Sequence, residues 1–215
     1  MPLNEIVIID YGVGNLLSVK RGLEHCGAKV LVTSKPEEIL NAAKVILPGV
    51  GAFKKAMKAL DNLGLVKVIQ EVANRKINLL GICLGMQLLL DESDEFGLTK
   101  GLGLIPGRVV AIPTKNDDGM INKIPHIGWS KLINSEGISY WNEGILKTLG
   151  RSDSSYFIHS YMALTNNNKY TIAYCLYGSK KIPAVIQRDR IIGCQFHPEK
   201  SGEVGLKILR DFCES

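Results

Sequence analysis

The first half of the chain alternates short apolar runs with segments of helical periodicity, and this alternation restricts the possible folds more than any other feature. Runs typical of buried strands occupy residues 5–10, 28–33, 44–47 and 77–82. Helical spacing of apolar residues follows, most clearly over residues 16–26, 53–60 and 66–74. Because strands that alternate with helices form βαβ units, the pattern predicts a parallel sheet flanked by helices.

The second half is richer in strands. Strand-like runs cover residues 126–133, 156–164, 170–177, 184–187 and 190–196, with a brief helical stretch at 140–149 and a closing helix at 201–212. No linker rich in proline, glycine and serine separates the two halves. We therefore expect a single α/β domain, residues 1–215, whose central, mostly parallel sheet gains antiparallel strands in the C-terminal half.

Composition argues against several classes of protein. The formal net charge is only +5 and the lysines are scattered, which does not favour nucleic-acid binding. The five cysteines are odd in number and form no CxxC pair, so we expect neither a disulfide framework nor a zinc site. We also expect no other metal site and no cofactor. No apolar run is long enough to span a membrane and no signal-peptide pattern is present, so we expect a cytoplasmic protein.

Cys83 lies where the apolar run 77–82 meets a run of helical spacing, 86–90, and it is flanked by Gly81 and Gly85. A cysteine at such a strand-to-helix corner resembles a nucleophile elbow, in which a strained turn exposes the reactive atom. The flanking glycines suit a turn that needs positive φ and close packing. The alternative is a buried cysteine that acts as a small hydrophobic residue.

Two further strand ends carry candidate groups. The run 44–47 continues into Pro48, Gly49, Val50 and Gly51, which is either a plain turn or a backbone that directs N–H groups at a developing oxyanion. The run 190–196 ends at His197 and Glu199, a spacing that lets the carboxylate orient the imidazole, although both residues would also serve to cap the last helix.

The three strand ends together indicate thiol chemistry. The carboxyl ends of parallel strands converge at one edge of a sheet, so a cysteine at one end and a histidine with an acid at another would meet there. Histidine would raise the thiolate fraction and protonate a leaving amine. The residues alone therefore predict an acyl-transfer enzyme with a cysteine nucleophile, without naming its substrate.

At this level of detail the chain resembles a known family. The segments Gly81–Gln87, Gln195–Glu199 and Pro48–Gly51 are similar to the motifs of class I, or triad, glutamine amidotransferases. The segments 125–129, 156–161 and 193–201, with Asp10–Gly12 and Asn15, resemble the branch formed by glutaminase subunits of imidazole glycerol phosphate synthases. One departure is Ser130, where that branch usually has asparagine.

The resemblance implies a role for each matching residue. Cys83 would be the nucleophile toward the glutamine amide, His197 the acid and base, and Glu199 the orienting carboxylate. Other groups would surround the substrate: the oxyanion strand Gly49, Val50 and Gly51, the N–H group of Leu84, and Gln87.

The resemblance also implies a partner. Ammonia would pass into a (βα)8-barrel synthase subunit, with which the chain would form a heterodimer in histidine biosynthesis. The expected interface residues are Asn15, Trp129, Tyr156 and Lys200, although Trp129 is equally consistent with a core position.

Three alternatives stay open at this point. A glutaminase of the same branch could supply ammonia to a nucleotide-sugar amidotransferase in surface-polysaccharide synthesis, because the discriminating surface belongs to the partner. A binding subunit with a degenerate triad is disfavoured, since all three triad positions are filled. A thiol peptidase or deglycase of similar fold would act on its substrates without a partner.

Overall fold

An eight-stranded mixed sheet forms the centre of the protein in the computed structural model, which describes residues 5–116, 119–135, 141–150 and 152–215. Five neighbouring strands are parallel, in the order β2 (Lys29–Thr33), β1 (Glu5–Ile9), β3 (Lys44–Leu47), β4 (Asn78–Ile82) and β14 (Ile191–Cys194). Antiparallel strands continue the sheet as β13 (Lys180–Arg188), β12 (Thr171–Tyr177) and β9 (Ile133–Asn134).

Helices cover both faces of this sheet. They are α1 (Leu16–His25), α2 (Pro36–Leu40), α3 (Phe53–Asn62), α4 (Leu65–Asn74), α5 (Leu84–Leu88) and α6 (Gly202–Glu214). Alternate residues of β1 enter different cores: Ile6 and Ile8 pack with α1 and α6, whereas Val7 and Ile9 pack with the other helices. Burial on both faces explains why the parallel strands read as continuous apolar runs.

Two smaller sheets lie beside the central one. In the first, β8 (His126–Lys131) pairs with β10 (Ser154–His159) in antiparallel register. The second has the order β11 (Tyr161–Thr165), β7 (Gly107–Ala111), β5 (Glu92–Ser93) and β6 (Thr99–Lys100). Short 3₁₀ helices occur at Gly144–Leu146, Asn168–Tyr170 and Pro198–Lys200.

The structure confirms the α/β class and the mixed sheet, and it corrects three predicted elements. The run 126–133 is two strands in different sheets, because β8 pairs with β10 while β9 pairs with β12. The run 156–164 is two strands in different sheets, because β10 pairs with β8 while β11 pairs with β7. The helical stretch at 140–149 shrinks to Gly144–Leu146, since Gly144 has a φ of 75° that no α-helix accommodates. Residue 140 itself lies outside the described residues.

Candidate active site

Cys83 occupies a strained corner between β4 and α5. Its backbone has φ 54° and ψ −110°, a conformation that residues other than glycine rarely adopt. The backbone N–H of Cys83 donates to the carbonyl of Cys194 on the neighbouring strand, at 2.7 Å, and this bond holds the turn in place. The elbow therefore presents the thiol at the carboxyl edge of the sheet, as the sequence predicts.

The glycines on either side of Cys83 serve close packing. A Cβ atom on Gly85 would lie 1.9 Å from the carbonyl oxygen of Leu47, and one on Gly81 would lie 2.7 Å from the backbone of Gly85. Neither glycine has a positive φ, so that part of the prediction is wrong. The strained dihedral belongs to Cys83 itself, while the glycines let the helix lie directly against the strands.

His197 and Glu199 form a buried pair next to Cys83. Nδ1 of His197 lies 2.7 Å from Oε1 of Glu199, and the two side chains are only 3% and 1% exposed. Burial by itself lowers the pKa of His197, but its hydrogen bonds with Cys83 and Glu199 and the charges of these groups outweigh burial and raise the pKa to about 9. The pair thus orients an imidazole that binds a proton strongly beside the thiol.

The loop Pro48–Gly51 packs directly on the elbow. The carbonyl of Pro48 accepts a hydrogen bond from the Tyr11 hydroxyl at 2.7 Å. A Cβ atom on Gly49 would lie 2.8 Å from the same hydroxyl and 3.0 Å from the backbone nitrogen of Gly85, so only glycine fits there. This contact places the backbone of the loop against the start of α5, where an anion bound at the elbow would meet N–H groups.

A cavity of about 550 Å³ opens over the thiol. Of the predicted residues, it is lined by Val50, Gly51, Cys83, Leu84, Gln87, His197 and Lys200. Gln87 is buried, and its Nε2 atom donates to the carbonyl of Tyr161 at 3.1 Å and to Oε1 of Gln195 at 3.0 Å. Its amide therefore supports the wall of the cavity.

Several lining residues were given no individual role from the sequence, although those after residue 120 lie in the matching segments 125–129 and 156–161. They are Glu95, Phe96, Pro125, Ile158, His159, Ser160 and Tyr161. Residues 91–95 form an acidic run that would be typical of a solvated helix end or loop, yet Glu92–Ser93 is strand β5 and Ser93 is fully buried. Glu95 lies at the cavity, where its Oε2 atom accepts the backbone N–H of Phe53 at the start of α3. The sequence signal that points to Glu95 is the high density of acidic residues in this run.

The outward side of the β8–β10 pair is an apolar surface, formed by Ile127, Trp129, Tyr156 and Ile158 and called here the docking face. Trp129 is opposite Tyr156 in the strand register, with ring centroids 6.0 Å apart. Trp129 is 58% exposed, so the core alternative for this residue is wrong. Ile158 also lines the cavity, and the docking face therefore extends to the mouth of the site.

The remaining predicted interface residues lie close to the cavity. Lys200 is exposed and lines it directly. Asn15 is half-buried at the start of α1, next to Gly14, whose Cβ would contact Pro48 at 3.3 Å. Both residues thus border the same edge of the sheet as the thiol.

Comparison with known proteins identifies the family. The model of the glutamine amidotransferase class-I family matches residues 7–215, and the chain belongs to this family. It is 48% identical over 212 residues to the imidazole glycerol phosphate synthase subunit HisH 1 of Legionella pneumophila (strain Lens), covering 99% of the chain and all of the relative. It is 46% identical over 207 residues to the subunit HisH of Geobacillus sp. (strain WCH70), with 96% and 95% coverage.

Solved structures with low sequence identity share the fold. PurLQS from Thermotoga maritima matches with a TM-score of 0.72 at 15% identity, covering 99% of this chain and 98% of that one. A crystal structure of a glutamine amidotransferase matches with a TM-score of 0.71 at 18% identity, with 97% and 99% coverage. The predicted family and fold class are confirmed.

Neither a membrane span nor a metal cluster occurs in the part of the chain that the structure describes. Within residues 5–116, 119–135, 141–150 and 152–215, no helix is long and apolar enough to cross a membrane. Over the same ranges, no group of three or more histidine, cysteine, aspartate or glutamate side chains is placed to hold a metal ion.

Proposed function

We propose that the chain is a glutaminase that hydrolyses L-glutamine to glutamate and ammonia. The observation that carries this proposal is the placement of Cys83, on a strained elbow, beside the buried His197–Glu199 pair. A nucleophile, a proton carrier and an orienting carboxylate are the three groups that a covalent acyl-transfer mechanism requires. Family membership supplies the substrate class, since class I amidotransferases are defined by glutamine.

The reaction divides into two steps around a thioester. His197 takes the thiol proton of Cys83 as the sulfur attacks the side-chain carbonyl carbon of glutamine, and the C=O electron pair moves onto oxygen. Collapse of this adduct breaks the C–N bond, and His197 gives its proton to the departing nitrogen, which leaves as ammonia. Water, deprotonated by His197, then attacks the carbonyl carbon of the thioester. The C–S bond breaks, glutamate leaves, and His197 returns the proton to the sulfur. Glu199 holds the imidazole and stabilises its protonated form.

Backbone N–H groups would stabilise the oxyanion in both steps. Leu84 is the first residue of α5, so its N–H group has no partner within the helix. The N–H groups of Gly49, Val50 and Gly51 belong to the loop that packs on the same helix turn. Donors fixed by packing need no reorganisation as charge develops, which is the physical basis of this form of catalysis.

The cavity also suits an amino-acid substrate. Glu95 supplies a carboxylate that can pair with the α-ammonium group of glutamine, and Ser160 and Tyr161 line the same cavity. Gln87 affects substrate binding chiefly by holding Tyr161 in place, because its Nε2 atom already donates to the Tyr161 carbonyl and to Gln195.

The ammonia is proposed to enter a (βα)8-barrel synthase subunit bound as a heterodimer in the cytoplasm. The docking face offers exposed aromatic and aliphatic side chains at the mouth of the cavity, the composition that protein interfaces favour. Relatives at 43% to 48% identity over nearly the whole chain are named as subunits of imidazole glycerol phosphate synthase. This similarity favours histidine biosynthesis over the nucleotide-sugar alternative.

One assay tests the whole proposal. Glutamine hydrolysis is measured for the chain alone and with the barrel subunit encoded in the same genome, together with the variant Cys83→Ala. We expect weak hydrolysis alone, strong stimulation by the barrel, and none in the variant. Undiminished hydrolysis by Cys83→Ala would refute the nucleophile, and full activity without the barrel would refute the coupling. Release of amino acids from peptides would instead favour a thiol peptidase.

A further inference from the structure

Two buried histidines lie on the inward side of the β8–β10 pair, behind the docking face. His126 and His159 are opposite each other in the strand register and are 2% and 6% exposed. Nδ1 of His126 lies 3.1 Å from Nε2 of His159. The triad uses neither ring, so the two histidines need a separate explanation.

Their neighbours fix which nitrogen of each ring carries the proton. Nδ1 of His159 lies 2.8 Å from the carbonyl oxygen of Tyr161, which can only accept, so Nδ1 is the donor and Nε2 is an acceptor. His126 must then donate from Nδ1 and accept at Nε2. Oγ of Ser130, 3.0 Å from that Nε2 atom, is the remaining donor. Burial lowers the pKa of both histidines to about 4, so near pH 7 each neutral ring has the single proton that this order requires.

Further hydrogen bonds connect Tyr161 to the nucleophile, and the direction of donation reverses at the Tyr161 carbonyl, which accepts from both sides. The carbonyl of Tyr161 also accepts from Nε2 of Gln87, which donates in addition to Oε1 of Gln195. Gln195 is fully buried, and its Nε2 atom lies 3.7 Å from the sulfur of Cys83 as a donor. A donor aimed at sulfur stabilises negative charge on that atom. Every bond in this series has a compatible donor and acceptor.

We infer that a positioning network of hydrogen bonds links the docking face to the glutamine cavity. It runs from Ser130 through His126, His159, the Tyr161 carbonyl, Gln87 and Gln195 to Cys83. The inference rests on the proposed function. Ser130 faces inward and adjoins Trp129, which projects from the docking face. A partner that presses on Trp129 therefore acts on the strand that carries the first donor, and the last donor contacts the reacting atom.

Ser130 occupies the position where the resembling branch usually has asparagine. In the network, the residue at this position supplies the donor to Nε2 of His126. An asparagine side chain also offers an N–H donor, so Ser130→Asn should preserve the order, whereas Ser130→Ala leaves Nε2 of His126 without its donor. A matched control is Ser155, which is opposite Ser130 in the register. Its buried Oγ atom has no hydrogen-bond partner among the described residues.

The proton order is tested directly by ¹⁵N NMR of the histidine rings at pH 7. We expect His126 and His159 both to show the tautomer protonated at Nδ1 in the full chain. In Ser130→Ala this tautomer should persist, and the Nε2 resonance of His126 should move because that atom loses its hydrogen-bond donor. A proton on Nε2 of His126 in the wild-type chain would overturn the network. This measurement does not depend on glutamine.

The link to the cavity is tested by glutamine protection of Cys83 against iodoacetamide, with alkylation at Cys83 quantified by peptide mass analysis. In Ser130→Ala, the half-protecting glutamine concentration should rise about fivefold, the size expected for one lost hydrogen bond. Ser130→Asn, which keeps a donor, and Ser155→Ala, which removes no hydrogen bond, should stay within about twofold of wild type. An unchanged Ser130→Ala, or an equal shift in Ser155→Ala, would overturn the inference. Absence of protection in the wild-type chain would instead refute the proposed function.

Discussion

Nδ1 of His197 and Oε1 of Glu199 lie 2.7 Å apart in a site where both side chains are almost fully buried. Pro198 stands between the two residues and begins the 3₁₀ helix Pro198–Lys200. Since proline fixes φ, the short helix turns the carboxylate back toward the imidazole with little freedom. A local sequence feature thus creates an orienting contact that in other triads comes from a distant part of the chain.

Replacing Glu199 with glutamine should lower kcat by about 10² to 10⁴, because the variant keeps the shape but loses the charge that stabilises the imidazolium. The pKa of His197, about 9 in the wild type, should fall in the variant. The pH–rate profile and an NMR titration of His197 measure these effects. The exposed Glu203→Gln, in the first turn of α6, is the control and should leave both quantities unchanged. An unaltered profile in Glu199→Gln would contradict the assigned role.

The raised pKa of His197 also predicts a pH dependence of stability. Because the folded-state pKa of about 9 lies above the ordinary value of 6.5, the folded protein holds this proton more tightly than the unfolded chain. The stabilisation is fully present below pH 6.5 and is lost as the pH rises through 9. Urea unfolding at about pH 6 and about pH 10, on either side of that window, should show a larger loss of stability in wild type than in His197→Gln. Equal losses would argue against the coupling of His197 to its partners.

The strained backbone dihedral at Cys83 predicts that the nucleophile elbow lowers the stability of the folded protein. Cys83→Gly should be about 1 to 3 kcal/mol more stable than Cys83→Ala, because glycine adopts positive φ without the Cβ clash, and both variants should be inactive. Thermal unfolding compares the two. Identical melting temperatures would mean that the backbone relaxes when the thiol is absent.

The sequence is most informative where local chemistry decides the structure. The alternation of apolar runs predicts the parallel strands, and the corners at Cys83 and His197 follow because parallel strands end at one edge. The sequence does not predict features that depend on pairing between strands distant in the chain. The separation of β10 from β11 depends on different partner strands, and the approach of Glu95 to the cavity depends on the β5–β7 pairing. Neither feature leaves a periodic pattern in the sequence from which it could be predicted.

Glu95 should affect glutamine binding more than chemistry. Glu95→Gln removes the charge proposed to pair with the α-ammonium group, so KM should rise about tenfold or more while kcat changes less. Asp94→Asn, a neighbouring charge that does not line the cavity, is the control for loss of an acid in this loop. Steady-state kinetics with the barrel subunit separates KM from kcat. A fall in kcat alone would place Glu95 in the chemical step instead.

Trp129 should contribute to partner binding without contributing to stability. With 58% of its surface exposed and Tyr156 beside it, the ring is free to enter a pocket of the barrel subunit. Trp129→Ala should therefore weaken the complex by about 2 kcal/mol, roughly 30-fold in Kd, as interface hot spots do, with little change in melting temperature. Leu176→Ala is the control, because this residue is 49% exposed on β12, outside the docking face. Calorimetric titration with the barrel subunit measures both, and an unchanged Kd for Trp129→Ala would move the interface away from the β8–β10 pair.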